Sequence, residues 1–350
     1  LFEFEKWIEL LPEEIRYFKG RATRESEATP YGLIRHLFAH RLEILESDSA
    51  EAVRNKFRMG MSGTLNSDQV DLVGQLLGLD FSASKAVQAQ FGSESFGERA
   101  TAYLAQYLRV IASEPTVIFL EDIHWADDSS LDVVDHLGTA VSDTRLLIVC
   151  LARPSLFERR PSWGEGQAFH SEVDLKPLSR RASRALVREI LQKVKDVPTN
   201  LRDLIVEGAE GNPFYVEELI KMLIEDGVIV HGEEQWKIER ERLAGVQVPP
   251  TLIGVLKARL DTLPAEEKLL LQRASVVGRL FWDAAVLELE AAEASGIDEA
   301  EVVSLLEAVR DRELIFRREH SAFAGAEEYI FKHALLRDVT YETVLLKLRR

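Results

Sequence analysis

The sequence predicts an α/β fold, a parallel sheet wrapped by helices over residues 1–178, followed by a largely helical region that ends in a small winged element. Three observations predict it. The runs VIFL (117–120) and LLIVCL (146–151) are apolar at every position, as strands buried on both faces should be. Short apolar strands alternate with amphipathic helices, the pattern of a sheet covered by helices. From about residue 179 the strand pattern gives way to helical periodicity.

Taken in order, LFEFEKWIELL opens on a helix with Leu1, Phe4, Ile8 and Leu11 on one face. Candidate strands follow at 16–22 (RYFKGRA), 116–122 (TVIFLED), 145–152 (RLLIVCLA) and 172–178 (EVDLKPL). Residues 46–97 are richer in Ser, Gly and charge and read as a helical insertion or a flexible cap on the sheet. Ala100, Tyr103, Leu104, Tyr107, Leu108 and Ile111 recur at helical spacing. Beyond 178, Ser179 caps a helix whose apolar side carries Leu186, Val187, Ile190, Leu191 and Val194. A second helix is expected near 200–208, and GNPF (211–214) starts a third. GVIVHGEEQWKI (227–238) reads as a hairpin about a Gly-Glu-Glu turn. Pro249-Pro250 marks a boundary, with helices at 251–262, 265–277 and 298–311. Then come LIFRRE (314–319), EYIFKH (328–333) and a closing helix with Leu335, Leu336, Val339 and Leu346 in phase. Helices followed by a two-stranded wing suggest a winged helix. Three domains are therefore expected: 1–178, 179–248 and 249–350.

Composition bounds the function. The 350 residues are 46% hydrophobic and 29% charged, those of an ordinary soluble globular protein. No apolar run approaches the ~20 residues that span a bilayer. A single cysteine, Cys150, excludes an internal disulfide framework and suits a reducing, cytoplasmic compartment. The formal charge of −16 argues against a nucleic-acid surface spread over the chain, although residues 345–350, LLKLRR, gather basic side chains. The chain opens on Leu and closes on Arg350 within helical pattern, so the sequence reads as an interior piece of a longer polypeptide.

The residues that carry chemistry lie in TVIFLEDIHWAD (116–127). A buried parallel strand ending in two acids delivers carboxylates to the carboxyl end of the sheet, where open α/β sheets bind ligands. There one carboxylate can hold Mg²⁺ while its neighbour orients an attacking water; the alternative is that Glu121 and Asp122 only start a loop and cap the next helix. His124 beside two acids invites a metal reading, but no second His or Cys stands at ligand spacing. Trp125 is expected to pack against the sheet edge.

These residues resemble the Walker B region of STAND-class P-loop ATPases, the AAA+-related modules of bacterial multidomain signalling regulators such as cyclase-linked or LuxR-type proteins. Further segments resemble the family in its order: GRA with TPYGLIRHL (20–22, 29–37), LARP (151–154), GNPFYVEEL (211–219), VLKARLDTLP (255–264) and FKHALLRDVTYE (331–342). The resemblance implies a P-loop NTPase core without its first strand and phosphate loop, then a helical lid and a winged-helix domain. It implies ATP/ADP and Mg²⁺ as cofactors, with Glu121 on the metal and Asp122 polarising water. Glu121 is a departure from the Asp of many members, and its extra methylene shifts the carboxylate by about a bond length. Arg153 falls at the sensor 1 position, Pro213 where a proline packs on adenine, and His333 where a histidine touches the ADP β-phosphate. No G-x-x-x-x-G-K-[ST] loop occurs in these residues, so the fragment alone is expected not to hydrolyse ATP. The function implied is an ATP-binding and -hydrolysing regulatory switch whose partners are nucleotide, other domains of the polypeptide and further copies of the chain, without membrane or nucleic acid. The alternatives are a non-catalytic scaffold for oligomerisation or docking, and a winged-helix DNA-binding regulator.

Overall fold

The computed structural model describes residues 2–24, 27–167, 169–232, 235–292, 298–318 and 321–344. The backbone clusters into two compact units, Leu1–Glu172 and Val173–Arg350. Among the described residues no helix is long and apolar enough to cross a membrane.

The first unit runs α1 (Phe2–Glu9), β1 (Arg16–Arg21), α2 (Gly32–Arg41), α3 (Ala50–Met61), α4 (Ser67–Leu76), α5 (Lys85–Gln90), α6 (Phe96–Ile111), β2 (Thr116–Glu121), α7 (Asp128–Ala140), β3 (Leu146–Cys150) and α8 (Ser155–Arg159). Its sheet is parallel with the order β1-β2-β3, so the acid-ended strand is central. One face of β2 buries Ile118 and Leu120 in the main core with α2 to α7. The other face sets Val117 and Phe119 against Ile8 and Phe4 of α1. Gly20 explains how closely α2 lies on β1. A Cβ there would stand 3.1 Å from Leu120 and 3.2 Å from Leu37, so a larger residue would push the layers apart.

Two expectations are corrected and one pair of alternatives is separated. Residues 46–97 are the helical insertion rather than a flexible cap: Phe57, Met61, Val73 and Phe81, on or beside α3 and α4, lie in the same core as the sheet. Their apolar positions are spaced for helices, and intervening polar turns hide that in composition. The run LLIVCL is not buried throughout, since Leu147 is 48% and Leu151 39% exposed. The reason is position, because β3 is the edge of the sheet and only β2 covers its backbone. Residues 172–178 form no strand. Val173 and Leu175 are largely exposed, and Leu178 N–H instead donates to the Gly211 carbonyl at 2.8 Å. β propensity needs a neighbouring strand to satisfy the backbone, and no described residue supplies one there.

The second unit runs α9 (Arg180–Ile190), α10 (Thr199–Ala209), α11 (Pro213–Glu225), β4 (Ile229–Val230), β5 (Lys237–Ile238), α12 (Arg240–Leu243), α13 (Leu252–Asp261), α14 (Ala265–Val277), β6 (Leu280–Trp282), α15 (Asp283–Ala292), α16 (Glu299–Asp311), β7 (Ile315–Arg317), β8 (Glu328–Phe331) and α17 (Ala334–Glu342). Ser179 caps α9 by accepting from Ala182 N–H at 3.2 Å, as its place before the apolar stripe predicts. β4 and β5 pair as the hairpin, although Glu233 and Glu234 of its expected turn lie outside the described residues. Leu1, Glu319, Leu346 and the basic run 345–350 lie outside them as well. The last sheet has the antiparallel order β6-β8-β7, one strand more than the sequence pattern predicts. A three-residue strand such as Leu280–Trp282 carries too little alternation to be read. Gly211 has φ 81°, and a Cβ there would stand 2.5 Å from the Leu178 carbonyl oxygen, so the turn into α11 requires glycine.

Asp127 ties two helix starts in the first unit together. Its carboxylate accepts from Tyr31 N–H at 2.8 Å, Gly32 N–H at 3.0 Å, Ser130 N–H at 2.8 Å and Ser130 Oγ at 2.6 Å, and it is 6% exposed. Asp127→Ala removes the shared acceptor from both helix starts, leaving Gly32 N–H only its bond to the Thr29 carbonyl. The expected loss is about 2–4 kcal/mol of unfolding free energy, read from urea melts, and Asp127→Asn should recover part of it.

Candidate functional site

The parallel register places Arg21 opposite Glu121 and Gly20 opposite Leu120. Side chains alternate along a strand, so Lys19 and Arg21 share one face, the face on which Glu121 emerges. Lys19 Nζ stands 3.4 Å from Glu121 Oε1, and Arg21 Nη2 stands 3.8 Å from Glu121 Oε2. Arg21 then donates from Nε at 3.1 Å and from Nη2 at 2.9 Å to Asp122 Oδ2. Two cations from β1 therefore hold the two acids at the end of β2. The cluster is about one-fifth exposed, which weakens screening and strengthens these charge-assisted bonds relative to open surface pairs.

Asp122 adopts a left-handed backbone with φ 56° and ψ 32°. That region costs a residue other than glycine on the order of 1 kcal/mol, and short polar side chains tolerate it best. The chain is fixed on both sides of it. Ile123 N–H donates to the Leu151 carbonyl at 3.0 Å, and Trp125 N–H donates to the Asp122 carbonyl at 2.9 Å, closing a single 3₁₀ turn over Ile123–Trp125.

His124 in that turn is 8% exposed, and neither ring nitrogen has a hydrogen-bond partner among the described residues. Burial pushes its pKa down, against the attraction of Asp122, so the ring is neutral at pH 7. Trp125 is half-buried against the main core, as its apolar character predicts. Arg153, just past β3, lays its guanidinium over the Trp125 ring at 5.6 Å. Arg159 donates to the carbonyls of His124, at 3.4 Å, and Ala126, fastening the loop to α8.

In the second unit Pro213 is the first residue of α11, with Asn212 capping it by accepting from Phe214 N–H at 3.0 Å. His333 precedes α17 and makes no capping bond of its own. Its ring lies against Phe214, with centroids 3.4 Å apart. Pro213, Phe214 and His333 line one cavity of about 680 Å³. The structure thus brings Glu121 to Asp122 and Pro213 to His333, and sets Arg153 over Trp125.

Sequence reasoning missed Lys19, Arg21 and Asp127. The signal for the first two was a pair of cations at alternate positions near the end of β1, next in space to a strand with two acids at its end. Asp127 gave the sequence no sign that it would hold α2, some hundred positions earlier in the chain.

An AAA ATPase domain family matches residues 5–149, and a domain of unknown function matches residues 179–232. A fission-yeast protein, the peroxide stress-activated histidine kinase mak3 of Schizosaccharomyces pombe, is 24% identical over 195 residues, which are 54% of this chain and 8% of that protein. Among solved structures, a STAND protein with a tetratricopeptide repeat sensor from Pyrococcus horikoshii aligns over 99% of this chain and 42% of its own, at 12% identity and a TM-score of 0.46. The Aeropyrum pernix ORC1 protein in complex with DNA aligns over 92% of this chain and 93% of its own, at 14% identity and a TM-score of 0.32.

Burial, with Lys332 adding to it, pushes His333 down from its ordinary 6.5 to about 4. The folded ring is therefore neutral where the unfolded one becomes charged. Its contribution is complete above pH 6.5 and is lost as pH falls toward 4. Discounted for partial exposure, it amounts to about 1–2 kcal/mol. Unfolding free energies from urea melts at pH 7 and pH 4.5 should differ less in His333→Asn than in the wild type, by that amount.

Proposed function

From a chain that carries an AAA-related P-loop ATPase domain over residues 5–149, we propose a STAND-type regulatory switch, in which ATP binding and slow hydrolysis set the state of a larger signalling protein. The observation that carries this reading is the acid pair Glu121–Asp122 at the carboxyl end of the central strand of a parallel sheet, the place where such sheets work on ligands.

The two carboxylates offer hard oxygen donors that fit Mg²⁺, with Glu121 as the ligand. Bound there with a nucleotide, the ion would neutralise phosphate charge. Asp122 would accept a hydrogen bond from the attacking water and orient it, with Arg21 holding the carboxylate in place through two bonds to Oδ2. Arg153 would supply positive charge after leaving Trp125. Pro213 would pack on the adenine ring and His333 would contact the β-phosphate of ADP in the resting state. The reading requires a phosphate loop, and none occurs within these 350 residues.

The last three strands with α14 to α16 are read as a winged helix serving as an intramolecular lid. The exposed positions of α16 include Glu299, Glu301, Glu307 and Asp311, an acidic face that would repel duplex phosphates. This favours a protein contact over DNA binding. The segment division 1–178, 179–248 and 249–350 into core, lid and winged-helix region belongs to the same reading.

The test joins this chain to a functional phosphate loop and follows ATP turnover. Asp122→Asn should lower turnover by about 100-fold or more while nucleotide affinity changes little. Unchanged turnover would remove Asp122 from the chemistry.

A further inference from the structure

The cavity of the second unit extends well beyond the residues assigned to nucleotide. It follows α11, and Ile220 and Ile224 on its wall lie about 10 and about 16 Å along the helix from Pro213. Leu186 and Ile190 of α9 form the facing wall, and Trp236 with His231 of the hairpin closes the end. The two hairpin rings stack with centroids 4.1 Å apart and planes 23° from parallel. The Trp236 backbone is fixed, its N–H donating to the Lys193 carbonyl at 2.9 Å. The result is a preformed aromatic shelf facing aliphatic side chains, within a volume typical of small-molecule sites.

The charged groups on the wall decide what such a site accepts. Lys221 bonds Glu217 at 2.9 Å and also Glu313, Arg259 bonds Glu225 at 2.6 Å and also Glu218, and Arg312 bonds Glu267 at 2.8 Å. Burial works against the charge on Glu217, yet hydrogen bonds from Lys332 and Lys221 hold its carboxyl below the usual range. Every cation on the wall already has its carboxylate. An anionic ligand would have to break one of these pairs, whereas a neutral ring would only displace water from apolar surface.

The geometry points to a second ligand site, between α9, α11 and the hairpin, for an uncharged planar aromatic molecule seated on Trp236. It is separate from the nucleotide reading, which concerns the Pro213 end.

Two probes that share one ring system test it. N-phenyl-1-naphthylamine is neutral, and 1-anilinonaphthalene-8-sulfonate carries an added sulfonate. Titrated into the 350-residue chain and followed by probe fluorescence, the neutral probe should saturate at one equivalent and bind at least tenfold more tightly than the sulfonate. Ile224→Trp, which fills the seat, should weaken it at least tenfold, and so should Leu186→Trp, with melting transitions kept as the check on folding. ADP at millimolar concentration should leave the probe bound. Equal or tighter binding of the sulfonate, unchanged affinity in a folded filling variant, or displacement by ADP would each overturn the proposal.

Discussion

The constraint on which the candidate site depends is the register of β1 against β2. Because Arg21 is aligned with Glu121 in a parallel ladder, the last turn of β1 must deliver its cations beside the acids that end β2. A one-residue slip would send Lys19 and Arg21 to the opposite face and leave two neighbouring carboxylates without counterions. The register is itself held from below by apolar contacts. Phe18, Ile118 and Leu120 are buried in the main core, and Gly20 allows α2 to lie directly over them. The apolar half of the sheet thus sets the geometry of its charged end.

This arrangement gives the acids two possible sets of partners. Held by Lys19 and Arg21, they are neutralised within the chain. With a metal and phosphates present, the same carboxylates would have to exchange cation partners. Charge-assisted bonds of this kind contribute about 1.5–3 kcal/mol each, comparable to the differential energies that move a two-state equilibrium by one or two decades. The left-handed backbone at Asp122 and the bonds at Ile123 and Trp125 keep the carboxylate at the strand end in either case. Arg153 is a further cation, held over the Trp125 ring three positions past Asp122.

Much of the fold was legible because its signals are local. VIFL reads as a buried strand from its unbroken apolar run, Ser179 and Asn212 mark helix starts by their side-chain chemistry, and α6 shows its stripe over four turns. The errors came where the outcome is set by neighbours. LLIVCL has the composition of a central strand but lies at an edge, and residues 172–178 have strand propensity without a ladder. The acids of the site were legible from the motif, as were the positions of Pro213 and His333 at helix starts. Their partners were not. The pairing of Arg21 with Asp122 spans 101 positions in sequence and exists only because two strands run side by side. Asp127 likewise reaches back 96 positions to Tyr31.

Arg21 lies against both carboxylates, and its removal should free them for a divalent cation. Manganese can stand in for magnesium and be counted as free ion by electron paramagnetic resonance. Mn²⁺ binding should be weak in the wild-type chain and at least fivefold tighter in Arg21→Ala, and that gain should be lost when Glu121→Gln is added. Equal Mn²⁺ affinity in the wild type and Arg21→Ala, with both proteins folded, would contradict it.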